Sequence, residues 1–324
     1  MYQGKVDLHL HLDGSLSEQV VFDLAKRGGF PMSMEEICDS IYVPADCNNL
    51  VEYLQRFELP TRVLQTEYAL EVSAYELVSR LAAQGLIYAE IRFAPQLHTR
   101  TGLTQKAVLQ SVLKGVQQAQ QDHPSIRTGV LLCALIGSSR EVNEQIVPLA
   151  AEFRGQGVVG VDLAGAEDTV PLETYAPIFE EANRQQIPFT LHAGERGNAE
   201  NVRKAVELGA RRVGHGCGAV RSESCMDLLR RENILVEACV VSNLHTKIVL
   251  DPKTHPMAEF FRRGIPVSIN TDNMTCSNTT LQREHQVIFD AFGFTDEEFR
   301  QMDAYAIGGA FLPEAEKQAL LAQL

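Results

Sequence analysis

A (β/α)8 barrel is the fold that this α/β sequence predicts, and three observations predict it. Eight short runs rich in β-branched and aliphatic residues recur along the 324 residues. Segments with apolar residues at helical spacing alternate with them. Most of the runs are apolar on both faces, as strands are in a parallel sheet that helices cover on each side. A doubly wound open sheet is the alternative, but no G-x-G-x-x-G follows the first run.

In chain order the runs are KVDLHLHL (5–12), LIYAEIRFAP (86–95), RTGVLLCALI (127–136), VVGVDLAG (158–165), IPFTLHAGE (187–195), RRVGHG (211–216), ILVEACVVSN (234–243) and IPVSINTDN (265–273). From the second onward their starts are spaced by about 23 to 41 residues, close to the roughly 30 of a βα unit. Helical periodicity marks NAENVRKAVELGA (198–210) and MAEFFRRGI (257–265). Gly209 and Gly264 stand where a helix ends and the next strand begins. The first two runs lie about 70 residues apart, against the ~20 that one crossover helix needs. The surplus holds NNLVEYLQRFELP and TEYALEVSAYELVSRLAAQG, so a helical insertion at about 14–85 is expected. After a barrel strand it sits at the C-terminal mouth, where part of it would act as a lid. No repeat beyond the βα rhythm, low-complexity tract or linker interrupts the chain, and one domain spanning 1–324 is expected.

Composition narrows the function. A formal net charge of −13 offers no cationic footprint for nucleic acid. Nothing approaches the ~18 consecutive apolar residues of a membrane span. No basic segment followed by an apolar one precedes residue 5, so no secretory signal is expected and a cytoplasmic location is. The seven cysteines include no C-x-x-C pair, and Cys133 and Cys239 sit in apolar runs; buried free thiols are expected. No segment specifies an oligomeric state.

The first run raises a chemical question. Alternation along a strand puts Val6, Leu8, Leu10 and Leu12 on one face and Asp7, His9, His11 and Asp13 on the other. A solvated face, a buried hydrogen-bond network or a metal site would each account for the second row. The other strand ends favour a metal. His192 and Glu195 close strand five, His215 strand six, Ser242 and Asn243 strand seven, and Asp272 with Asn273 strand eight. That is the end at which barrel enzymes carry their catalytic groups. His9, His11, His192 and Asp272 offer three neutral nitrogens and one carboxylate, a set that suits Zn²⁺ and, on ligand type alone, Fe, Co or Mn. A bound Lewis acid makes hydroxide available at neutral pH, and His215 next to it can take a water's proton. Gly194 lets the chain turn so that Glu195 also faces the pocket, as a proton donor if its pKa is raised. His98, His123, His255 and His285 read as surface or capping residues, and His245 as a possible rim residue.

Together HLHLDGSL (9–16), YAEIRFAP (88–95), GVDLAG (160–165), HAGE with a downstream NV (192–202), GHG (214–216), SN (242–243) and NTD (270–272) resemble the adenosine deaminases of the amidohydrolase superfamily. The resemblance implies one Zn²⁺ per chain, held by His9, His11, His192 and Asp272. It implies that Glu195 protonates the purine at N-1 while His215 and Asp272 orient and deprotonate the water. The N–H of Gly165 would meet N-3, Asp13 would bind the ribose 5′-hydroxyl, and His11 and Asn273 would complete the substrate contacts. The partner is then a small purine nucleoside, adenosine or 2′-deoxyadenosine, with no nucleic acid or membrane involved. Three positions depart from the family pattern: Asn273 replaces an aspartate, Ala166 an acid, and Val240 a proline. An asparagine amide donates to N-7 without any pKa adjustment. The alternatives are deamination of a 5′-modified adenosine or of adenine, and another metal-dependent hydrolysis on the same barrel. Relatives acting on the free base resemble HxEG where this chain has Asp13.

Overall fold

The computed structural model describes residues 2–324. Eight strands, β1 (Val6–His11), β2 (Tyr88–Phe93), β3 (Arg127–Leu135), β4 (Val158–Ala164), β5 (Thr190–Ala193), β6 (Arg212–His215), β7 (Leu235–Ala238) and β8 (Val267–Ile269), form two parallel four-stranded sheets. Two sutures close them into a barrel. At one, the His11 N–H donates to Asp272 O and the Asp272 N–H to His9 O, both at 2.7 Å. At the other, the Val161 N–H donates to Pro188 O at 3.1 Å. Each strand falls inside its expected run, and all eight point the same way.

One strand is shorter than its run: β7 stops at Ala238. The residues after Ala238 turn into a helix, Val240–His245, so Ser242 and Asn243 ride a helical turn and not the end of β7. Their β-branched neighbours read locally as strand, but the helix start is secured by a residue far away in sequence. Glu284 is fully buried, and its Oε2 accepts the Val241 N–H at 3.1 Å, satisfying a donor that the first helical turn leaves free.

The long first connection holds five helices: Glu18–Arg27, Met34–Ile41, Leu50–Leu54, Glu58–Val63 and Glu67–Ala83. Four of them start on a side-chain cap: Ser17, Ser33 (in a capping box with Glu36), Asn49 and Thr66. Glu67–Ala83 packs along Gln105–Asp122, so closely that a Cβ on Gly115 would lie 2.1 Å from Glu71 O. It is the barrel's own crossover helix, which narrows the surplus to the helices before it. Among the described residues no helix is long and apolar enough to cross a membrane.

Candidate active site

The strands' inward side chains form a charged layer in the barrel, fully buried. Arg92 Nη1 lies 2.7 Å from Asp162 Oδ2, and Arg92 Nη2 lies 3.0 Å from Glu237 Oε2. Arg212 Nη2 lies 2.5 Å from Glu90 Oε2, and Arg212 Nε lies 2.7 Å from Glu237 Oε1. Two cations therefore face three carboxylates. The same carboxylates reach up to the imidazoles: Glu237 Oε2 meets His9 Nδ1 at 2.8 Å, and Asp162 Oδ2 meets His192 Nδ1 at 3.0 Å. With each Nδ1–H engaged, both rings turn a bare Nε2 toward the mouth. Sequence reasoning missed Asp162 and Glu237; the signal was an ionisable residue inside each of the apolar runs VVGVDLAG and ILVEAC.

At the C-terminal mouth the expected residues converge. Asp272 Oδ1 lies 3.5 Å from His9 Nε2 and 3.4 Å from His11 Nε2, while Ser242 Oγ donates to its Oδ2 at 2.5 Å. His11 Nε2 and His192 Nε2 are 3.3 Å apart. Donor atoms of His9, His192, His215 and Asp272 also fall within 4.8 Å of one another. That donor set contains His215, expected beside the metal, and omits His11, expected on it, although His11 Nε2 touches both Asp272 and His192. Burial alone would raise the Asp272 carboxyl, but its contact with His9 holds it well below the usual carboxylate range. Burial pushes the His11 and His215 imidazoles well below their ordinary value, so both are neutral. His215 and Asp272 both adopt the left-handed backbone region, at φ +62° and +59°, a strain that surrounding structure must hold in place.

Glu195 follows β5 through Gly194, whose φ is +74° and where a Cβ would lie 2.6 Å from Val202 Cγ2. The turn delivers the Glu195 carboxyl into the same buried pocket, Oε1 3.7 Å from His215 Nε2. Burial pushes it up to about 8, with the charges of Asp272 and Glu167 adding to the push against His192. Glu167 is a third residue that sequence reasoning missed. Its carboxylate accepts the N–H groups on either side of Glu195, from Gly194 at 2.6 Å and Arg196 at 2.7 Å, and the Asn201 amide at 2.9 Å. An acid does follow DLAG, one place later than Ala166.

Asp13 lies in the turn after β1, buried, with Oδ1 free of any hydrogen bond, and burial pushes its carboxyl up to about 6. Asn273 is buried with Oδ1 likewise unpartnered. A Cβ at Gly14 would lie 1.9 Å from that oxygen, so only glycine fits there. Gly165 leaves β4 at φ +113° at the same end of the barrel. Three histidines expected at the surface or at caps are in fact buried: His98, His255 and His285. His285 packs against Gly4 and its Nδ1 bonds Leu281 O at 2.9 Å, a packing role. His123 is a helix C-cap, and His245 ends the helix after β7, half-buried.

Comparisons with known proteins bear on this pocket. Residues 4–324 match the sequence model of the family described as adenosine deaminase. The chain is 38% identical to an adenosine deaminase of Haemophilus ducreyi over 99% of its own length and 95% of the relative's. Its fold is similar to an adenine deaminase from Arthrobacter aurescens (TM-score 0.89, 23% identity, 99% and 98% of the two chains covered). It is also similar to an amidohydrolase from Burkholderia ambifaria solved with bound zinc (TM-score 0.88, 24% identity, 98% and 88% covered).

Proposed function

Because the chain belongs to the adenosine deaminase family, we propose that it hydrolyses adenosine and 2′-deoxyadenosine to inosine, or 2′-deoxyinosine, and ammonia. The observation that carries the reading is a buried Glu195 carboxyl, pushed up to about 8, beside an imidazole–carboxylate cluster in which His9 Nε2 has no hydrogen bond and His11 Nε2 faces His192 Nε2. Hydrolysis of an aminopurine needs both at once, a proton for the ring and an attacking water on the adjacent carbon.

The residues fit a zinc ion. His9 Nε2 is a buried nitrogen without a hydrogen bond, and His11 Nε2 and His192 Nε2 face each other at 3.3 Å, an arrangement that a cation between them relieves. His9, His11, His192 and Asp272 would hold it; bound there, it would supply Lewis-acid chemistry that makes water a nucleophile at neutral pH. The remaining work belongs to the chain. Glu195 donates its proton to ring N-1 as the water oxygen adds at the six-position carbon, which keeps negative charge from building on the purine. The Asp272 carboxylate, held ionised, receives the proton the water loses and returns it to the departing amine, and the hydroxyl proton left on the six-position carbon passes to Glu195 as the carbonyl forms, restoring its acid form. His215 fixes the water from the far side. The Gly165 N–H meets N-3, Asn273 Nδ2 donates to N-7, and Asp13 accepts the ribose 5′-hydroxyl.

Part of the first connection serves as the lid. The Phe57 ring lies edge-on to His11 with 6.5 Å between centroids, and Tyr53 Oη bonds Ser277 Oγ at 2.8 Å. Tyr53 is on the helix Leu50–Leu54 and Phe57 in the 3-10 turn that follows it (Gln55–Phe57), and both reach the rim around the cluster.

The test is ammonia release by zinc-loaded protein from adenosine, 2′-deoxyadenosine, adenine and 5′-methylthioadenosine, beside a chelator-treated control. Metal-dependent turnover of the first two is expected. Turnover of adenine or the 5′-modified compound alone would keep the chemistry and overturn the role given to Asp13. Silence on all four would overturn the deaminase reading.

A further inference from the structure

We propose that His255, acting through Asn243, holds His215 in the tautomer that carries its proton on Nε2, so that His215 faces the reacting water as a hydrogen-bond donor and not as the base that deprotonates it. His255 was read from the sequence as a surface or capping residue. It is 2% exposed, and its two ring nitrogens are both engaged.

A backbone N–H only donates, and that of Met257 points at His255 Nδ1, 3.2 Å away. His255 Nδ1 is therefore bare, and a neutral imidazole with a bare Nδ1 carries its proton on Nε2. Burial supports the neutral form, pushing this imidazole down to about 3. His255 Nε2–H then donates to Asn243 Oδ1 at 3.1 Å, and the Cys217 thiol lies 3.3 Å from the same oxygen. Two donors on Oδ1 settle which way the Asn243 amide faces, leaving Nδ2 3.1 Å from His215 Nδ1. Nδ2 only donates, so His215 Nδ1 is the acceptor and its proton sits on Nε2, the atom on the Glu195 side of the ring. Turning the Asn243 amide over would set Nδ2 against the His255 Nε2–H, donor against donor. Asn243 is fully buried, so bulk solvent does not reach that mismatch and it would cost the full penalty of two opposed donors.

The helix after β7 thereby orients two groups of the pocket from adjacent residues. Ser242 donates to Asp272 Oδ2 and Asn243 donates to His215 Nδ1. His255 is a positioning residue behind them. With Nε2 protonated, His215 has no lone pair for the water's proton, and that proton passes to Asp272. This consequence rests on the deaminase reading; the tautomer is a property of the folded chain without substrate.

The experiment is two-bond ¹H–¹⁵N NMR on full-length protein labelled at histidine, metal-free and zinc-loaded, with the His215 signals assigned by their absence in His215→Asn. A pyridine-like Nδ1 and a pyrrole-like Nε2 at His215 are expected in both samples. A proton on Nδ1 would overturn the proposal whether or not the protein releases ammonia. The same tautomer in a protein inactive on every aminopurine would leave the proposal standing and remove the deaminase reading instead. In variants, His255→Phe should lose the single tautomer and lower kcat by roughly 10- to 100-fold with KM little changed. His255→Gln, whose terminal amide can donate where the ring Nε2–H did, should restore both. Equal losses in the two variants, or a His255→Phe protein with the wild-type His215 signals, would count against the relay. Should His255→Phe fail to fold, the wild-type spectrum decides alone.

Discussion

In the charged layer, Arg92 and Arg212 meet Glu90, Asp162 and Glu237, and no charge lacks an opposite at contact distance. At the mouth, His9 Nε2, Asp13 Oδ1 and Asn273 Oδ1 are buried without a hydrogen bond, and His9 Nε2 has only the Asp272 carboxylate, 3.5 Å away. Backbone strain follows the same division, since His215 and Asp272 are left-handed and none of the five layer residues is. The layer also leaves Arg92 Nε without a hydrogen bond, but its charges are neutralised pair by pair, whereas the unpartnered atoms of the mouth sit beside strained backbone, the combination that marks a place kept for a ligand. Glu237 and Asp162 belong to both regions, so the closed layer aims the imidazoles of the open one.

Breaking the comparison at either end should give different symptoms. Arg92→Met leaves Asp162 and Glu237 buried without their shared cation, and urea unfolding should show a loss of about 3–5 kcal/mol. A loss within ordinary surface scatter would mean that the layer does not brace the barrel. Glu195→Gln should do the reverse. It removes the proton donor, so turnover should drop roughly 100-fold or more, with metal content by elemental analysis and stability both retained. Near-normal activity would break the assignment. Asn273→Ala, which removes the donor proposed for N-7, should lower kcat/KM by about 1–3 kcal/mol; steady-state kinetics with no change would show that N-7 is not read there.

The dependence on pH sharpens the contrast further. The Glu195 carboxyl is raised to about 8 in the folded chain from its usual 4.5. Between those values the folded state keeps a proton that the unfolded state has released, so stability from this group falls as pH rises and is lost above about 8. Chemical denaturation of metal-free protein should therefore show the Glu195→Gln variant gaining on the wild type from pH 5 to pH 8. Parallel curves would mean that Glu195 is ionised at neutral pH and is no acid catalyst.

Much of the site was legible because its signals are local. Two imidazoles one residue apart share a strand face whatever the rest of the chain does, and His9 and His11 do meet at Asp272. Gly194 announced a turn that its φ of +74° makes. The illegible parts all depend on a distant partner. Nothing around VVSN says that Glu284, 43 residues past Val241, will accept its N–H and start a helix. Nothing around His255 says that its ring will reach Asn243, or around Asp162 that it will meet His192 across 30 residues.

By itself, then, the sequence determined the number and direction of the strands, the end of the barrel that carries chemistry, and the residue types gathered there, because alternation, helical period and turn chemistry act over a few residues. Tertiary structure alone decided which nitrogen of each imidazole is bare, which carboxyl stays protonated, and which polar atoms are left without partners. Those are properties of burial and of hydrogen bonds between strands and helices far apart in the chain, and they exist only once the barrel has closed.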